Sequence, residues 1–182
     1  MENWLDKELL CDIHQILGEV ARSTICTDVS LGLSICKKNK WLRSVLSYEV
    51  VGGQLERVSE KLFDLASLTK PVVTSLSLLR LLEEGEVALQ NVVGEIIKDT
   101  KPPHCNLKIV DLLNHRAGLP AHQEYFHKLL KLPKDKRSFQ IQKMILSEPL
   151  VFSPGKQELY SDLGYIILGQ IIEIVSKESM EK

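Results

Sequence analysis

Phe63-Asp64-Leu65-Ala66-Ser67-Leu68-Thr69-Lys70-Pro71-Val72-Val73 passes from a polar approach into a long apolar run, and Ser67 stands at the change. From Leu68 onward Val72, Val73, Leu76, Leu79 and Leu82 recur at helical spacing, and Gly85 supplies a stop. Pro71 suits such a helix because it falls in the first turn, where its missing N–H would have no partner. The spacing therefore predicts Ser67 at a helix start with Lys70 one turn on. A serine hydroxyl is a poor nucleophile at neutral pH and needs a base within hydrogen-bond reach. A lysine serves if burial or a neighbouring cation lowers its pKa. The Ser67 N–H, unpaired at a helix start, can face developing negative charge as half of an oxyanion hole. The plainer alternative is that Ser67 caps the helix and Lys70 is solvated.

Ser-x-x-Lys alone is weak evidence, since the chain has four matches. Ser34 and Lys37 fall in an alternating strand pattern, where residues three apart face opposite ways. Ser153 precedes the turn Pro154-Gly155, and Ser179 lies in the charged stretch ending at Lys182. Only Ser67 opens a helix that has to be buried. Ninety residues on, Tyr160-Ser161-Asp162 leads into another apolar helix. There Ser161 or Asp162 can cap the helix, and Tyr160 is either a half-buried aromatic or a proton carrier beside Lys70. A neighbouring Lys70 favours the phenolate, which would make Tyr160 a general base.

Working outward, Leu5, Leu9, Ile13, Ile16, Leu17 and Val20 predict an amphipathic helix over about 3–22. Val29, Leu31, Leu33 and Ile35 alternate with polar or small residues. After Lys38-Asn39-Lys40, Trp41 to Val51 repeats the pattern with Leu42, Leu46, Tyr48 and Val50 on one face. This predicts an antiparallel hairpin ended by Gly52-Gly53, followed by a polar segment from Gln54 to Lys61. Beyond the nucleophile helix, short helices are expected near Val92–Ile97 and Leu107–Leu113. A polar helix is expected near Phe139–Ser147, and a last one over Asp162–Ser176. The order predicts an α+β fold with 1–66 forming helix and hairpin and 67–182 forming a helical subdomain, together one incomplete domain.

These motifs, in this order, resemble the family of class C β-lactamases, D-Ala-D-Ala carboxypeptidases and related esterases. Phe63 to Lys70 resembles its nucleophile motif, and Ser-x-x-Lys is shared among penicillin-recognising enzymes. Leu112-Leu113-Asn114-His115-Arg116-Ala117-Gly118-Leu119-Pro120 resembles its Leu-Leu-x-His-x-Ser-Gly-Leu-Pro segment. Glu84 to Leu89 resembles its glycine-stopped helix end, and Phe152 to Gly155 with Tyr160 to Tyr165 its second catalytic motif and the approach to it. The resemblance runs from about residue 28 to 176. It implies a β-lactamase/transpeptidase-like fold and a serine hydrolase acting through an acyl-enzyme on a β-lactam, a D-Ala peptide or a short-chain ester. Ser67, Lys70 and Tyr160 would be catalytic and Asp162 substrate-binding, with no cofactor and no metal. His115 is expected to hold a loop rather than act as base.

Two departures qualify that likeness. Asp162 stands where the family usually has Asn, keeping an acceptor but losing the amide donor. A third motif, Lys-Thr-Gly or His-x-Gly on a strand, is not in these 182 residues. That strand would carry the other oxyanion N–H, and losing such a donor typically costs ~10²–10³ in turnover. A truncated, weakly active or inactive chain is therefore expected, prone to self-association through an unpaired sheet edge. The alternative function is a non-catalytic derivative that binds a peptide-like or acyl ligand.

Composition sets the remaining bounds. The chain is 44% hydrophobic with net charge −1, which points to no nucleic-acid or membrane-surface partner and leaves a small or peptide-like substrate. Without a basic-then-apolar leader or a span of ~18–20 apolar residues, a cytoplasmic location is expected. Cys11, Cys26, Cys36 and Cys105 lack metal or redox spacing and are expected to be reduced. His122, Glu124 and His127 read as a solvated loop, not a metal site.

Overall fold

The computed structural model describes residues 7–23, 27–59 and 61–180. They divide into two compact units, 1–64 and 65–182.

The first unit is a helix on a three-stranded antiparallel sheet of order β1-β2-β3. Helix α1 spans Lys7–Ser23, so the predicted first turn at 3–6 lies outside the described residues. Strand β1 is Asp28–Lys37, β2 is Lys40–Val51 and β3 is Gln54–Val58. The β1–β2 register places Leu31 opposite Leu46 and Val29 opposite Tyr48. Ile13 and Leu17 of α1 pack with Leu46 and Tyr48, the inward residues of β2. Both hairpin turns are two residues long with positive φ: 49° and 59° at Lys38 and Asn39, 57° and 79° at Gly52 and Gly53. Mirror-image turns of this kind match the right-handed twist of the strands. The Gly-Gly pair thus starts a third strand rather than ending the sheet, correcting the polar segment expected from Gln54 onward.

The second unit is helical. After a 3₁₀ turn at Ala66–Leu68 and a π-helical turn at Lys70–Ser75 come α2 (Leu76–Glu83), α3 (Val93–Ile96), α4 (Ile109–Leu113), α5 (Phe126–Leu129), α6 (Lys134–Ile145) and α7 (Asp162–Ser176). The segment after Ser67 is thus not a simple α-helix start. Pro71 has no N–H to offer the Ser67 carbonyl, so an i→i−4 bond cannot form there and wider spacing takes over. Helix α7 is the axis of this unit. Its Leu163, Ile167, Leu168 and Ile171 are fully buried against Leu78, Ile109, Leu112 and Ile145.

Candidate active site

Three loops and turns of the helical unit build the site. The first is the Ala66–Leu68 turn, where Ala66 sits at φ 45°, a conformation costly for any residue with a side chain. The second runs from His115 to Ala121, and the third from Val151 to Asp162. These two lie against each other through backbone bonds from Val151 to the Gly118 carbonyl at 2.8 Å, Leu159 to His115 at 2.9 Å and Asp162 to Ala121 at 2.9 Å. Gly118 is required at that join: at φ 81° a side chain would collide with the Phe152 carbonyl.

Ser161 locks the start of α7. Its Oγ accepts the Gly164 N–H at 3.3 Å and donates to the Pro120 carbonyl at 2.7 Å. Its own N–H donates to His115 Nδ1 at 3.1 Å. An accepting Nδ1 puts the ring proton of neutral His115 on Nε2. The imidazole lies 4.5 Å from the Tyr160 ring and 5.1 Å from that of Tyr165. Burial, reinforced by the nearby Lys70 cation, pushes His115 below its usual value. His115 is therefore a neutral brace for the loop that carries Tyr160, in keeping with the structural part expected of it.

Lys70 Nζ is the hub. It lies 3.4 Å from Ser67 Oγ and 2.7 Å from Asp162 Oδ1, with the Tyr160 ring centroid at 4.9 Å. Burial pulls Lys70 down, yet hydrogen bonds with Asp162 and Tyr160 outweigh it and hold the ammonium above its ordinary range. The condition under which Lys70 would serve as a neutral base, a lowered pKa, is therefore not met by this arrangement. In turn, hydrogen bonds with Lys70 and then Ser67 hold the exposed Tyr160 phenol below its usual value. The Lys70 bond does the same, more than its burial opposes, for the Asp162 carboxyl. The hydrogen bonds of this cluster thus favour the charged forms of Lys70, Asp162 and Tyr160 together.

Asp162 has a partner that the sequence did not signal. His122 Nδ1 lies 3.1 Å from Asp162 Oδ2, so the carboxylate bridges Lys70 and His122. A lone exposed histidine in a polar loop carries no periodicity or spacing that ties it to a residue forty positions on. Among the described residues no cluster of His, Cys, Asp or Glu is arranged to hold a metal ion. The described cysteines, Cys11, Cys36 and Cys105, are free thiols, and Cys26 lies outside the described residues.

Among its described residues this unit carries a small cleft of about 340 Å³ along α2 and two larger ones. One of about 870 Å³ runs between α2 and the end of α7, away from Ser67, with Arg80, Glu84 and Lys177 in its wall. The other, of about 450 Å³, begins at Ala66, Thr69, Lys70 and Asp162. The second has Lys70 in its wall and adjoins Ser67 through that side chain.

Residues 30–182 match the family model described as Beta-lactamase. The chain belongs to the beta-lactamase family. A Salmonella agona (strain SL483) protein provisionally named D-alanyl-D-alanine carboxypeptidase is 35% identical over 130 residues, covering 66% of this chain and 30% of its own length. A class C beta-lactamase mutant superposes with a TM-score of 0.73 at 15% identity, over 98% of this chain and 48% of the other. The octameric penicillin-binding protein homologue from Pyrococcus abyssi gives 0.69 at 22% identity, over 97% and 41%. The beta-lactamase/transpeptidase-like fold is thus shared, in part. This beta-lactamase-family chain spans about a third of the length of the curated relatives it matches. Among its described residues no helix is long and apolar enough to cross a membrane.

Proposed function

We propose that this chain carries the nucleophile half of a serine hydrolase site that works through an acyl-enzyme on an ester or amide. Ser67 is the nucleophile, Tyr160 the general base in its phenolate form, and Lys70 the cation that stabilises that phenolate. In acylation the Ser67 Oγ–carbon bond forms and the ester C–O or amide C–N bond breaks. The hydroxyl proton passes to Tyr160 and from there to the departing alcohol or amine. Water then attacks the acyl carbon, gives a proton to Tyr160, and releases the acid as Ser67 Oγ recovers that proton. Asp162 orients Lys70 through one oxygen, and its remaining lone pairs offer a substrate N–H an acceptor.

The observation that supports this reading is the single ammonium shared among Ser67 Oγ, Tyr160 and Asp162. The family match and relatives named as D-Ala-D-Ala carboxypeptidases lend weight to an acyl substrate of the D-Ala peptide, β-lactam or short ester kind. A second reading, a non-catalytic binding protein, draws on the tighter grip of Asp162 than of Ser67 on Lys70, 2.7 against 3.4 Å. Fluorophosphonate labelling read by intact mass separates the two. The hydrolase reading expects one adduct, mapped to Ser67 and absent from Ser67→Ala. No adduct, or one that persists in Ser67→Ala, favours the binding protein.

A further inference from the structure

We propose that the 450 Å³ cleft beside Lys70 is an acyl-chain pocket, so that the preferred substrate is an ester or amide of an apolar, medium-length carboxylic acid. This rests on the serine hydrolase reading above and deepens it. The cleft has one charged end and an apolar body. Lys70, Asp162 and His122 stand at the charged end, where Lys70 also touches Ser67 Oγ. Leaving that end, the walls are Phe126, Leu129, Ile141 and Ile166, contributed by α5, α6 and α7. An acyl group on Ser67 passes Lys70 and then meets a wall that is mostly hydrocarbon and ring, with Thr69, Thr74 and Gln123 as its uncharged polar members.

With few uncharged polar side chains in the wall, its two tyrosines weigh toward a hydrocarbon rather than a peptide. A peptide would need donors and acceptors along its length, because unpaired amides buried in an apolar wall are costly. The Tyr125 hydroxyl is already committed to Glu148 Oε1 at 2.7 Å, and that bond with burial holds it far above the ordinary range. The Tyr165 hydroxyl donates to the Leu113 carbonyl at 3.2 Å. Both tyrosines line the cleft while their hydroxyls are engaged by Glu148 and the Leu113 carbonyl. Phe126, 52% exposed, leaves apolar surface at the rim that an entering chain would cover. The volume lies within the ~300–1,000 Å³ of small-molecule pockets.

The test uses the full chain and a series of p-nitrophenyl alkylphosphonate methyl esters with methyl, butyl and octyl groups. Ser67 Oγ bonds to phosphorus, p-nitrophenolate leaves and is read by its absorbance, and the hydroxyl proton goes to Tyr160. Each buried methylene contributes about 0.8 kcal/mol, or roughly 4-fold in rate constant. In a cleft open on one side the proposal expects the octyl probe to label Ser67 at least ~10-fold faster than the methyl probe. Ile141→Trp, which adds bulk to the apolar wall, should collapse the octyl-to-methyl ratio. Should that variant fail to fold by circular dichroism, Phe126→Ala at the exposed rim takes its place and should lower the ratio. Labelling of Ser67 at equal rates by all three probes overturns the acyl pocket and leaves the hydrolase reading standing. No labelling by any probe overturns both.

Discussion

The sheet unit and the helical unit use their apolar residues in opposite ways. In the sheet unit the core rests on Ile13, Leu17, Leu46 and Tyr48, while Trp41 and Val45 on the opposite face of β2 stay 63% and 65% exposed. In the helical unit α7 is surrounded, with Ile167, Leu168 and Ile171 wholly out of solvent. Small sheets with one covered face hold together weakly, whereas a helix packed on several sides can fix a loop at its N-terminus. Every residue of the candidate site belongs to the second kind of region. Ser161 caps the most buried helix, and Tyr160 and Asp162 flank that cap. The sheet unit contributes fold but none of the cluster around Lys70.

If that division is right, the largest effects come from the Lys70 cluster. Lys70→Met should slow fluorophosphonate labelling of Ser67 by ~10²–10⁴-fold, the usual worth of positioned acid–base groups. Val45→Thr, on the exposed sheet face, should change it by no more than about two-fold. Comparable losses in both variants would break the comparison.

Next in size is the core. Ile167→Ala should lower stability to urea by ~2–5 kcal/mol through lost burial and a cavity. Val45→Ala should stay within ~0.5 kcal/mol. A smaller loss is expected at the cap: Ser161→Ala removes the acceptor for Gly164 N–H and should cost ~0.5–2 kcal/mol by the same denaturation. A cap variant indistinguishable from the parent would mean that α7 is held by its packing alone.

Acid sharpens the comparison further. Burial holds His104 and His115, both in the helical unit, below the ordinary histidine value. The unfolded chain therefore takes up those protons first. Their stabilisation is complete above about pH 6.5 and is lost as pH falls through the folded values. The sheet unit depends instead on Asp28, held low by its bond with Lys61 at 2.7 Å. That contribution is present above about pH 4 and is lost only below it. Amide exchange followed from pH 7.5 to 4.5 should loosen α7 before β1 and β2. The reverse order would contradict this assignment of the titrating groups.

Much of the fold was legible because periodicity is a strong signal where one face is buried. The spacing of Leu9, Ile13, Ile16, Leu17 and Val20 anticipated α1, and the Ile/Leu run after Asp162 gave the bounds of α7. Strand β3 escaped because Gln54-Leu55-Glu56-Arg57-Val58 turns only Leu55 toward the small core, so composition alone reads as polar. Helix α6 begins at Lys134, earlier than expected, since its first turn is charged and its periodicity begins only with Phe139. At the site, the family motifs pointed to Ser67, Lys70 and Tyr160 and the structure brings the three together. The protonation of Lys70 was not legible. It follows from a carboxylate 92 positions away whose second oxygen is held by His122.

The central claim is that a cationic Lys70 makes Tyr160 the ionised partner of Ser67. Ultraviolet difference titration of the phenolate, taking the full chain minus Tyr160→Phe, isolates that one tyrosine. The account predicts a midpoint below the ordinary tyrosine value of about 10, returning toward it in Lys70→Met. A midpoint at or above about 10 in the unsubstituted chain, unmoved by Lys70→Met, would contradict it.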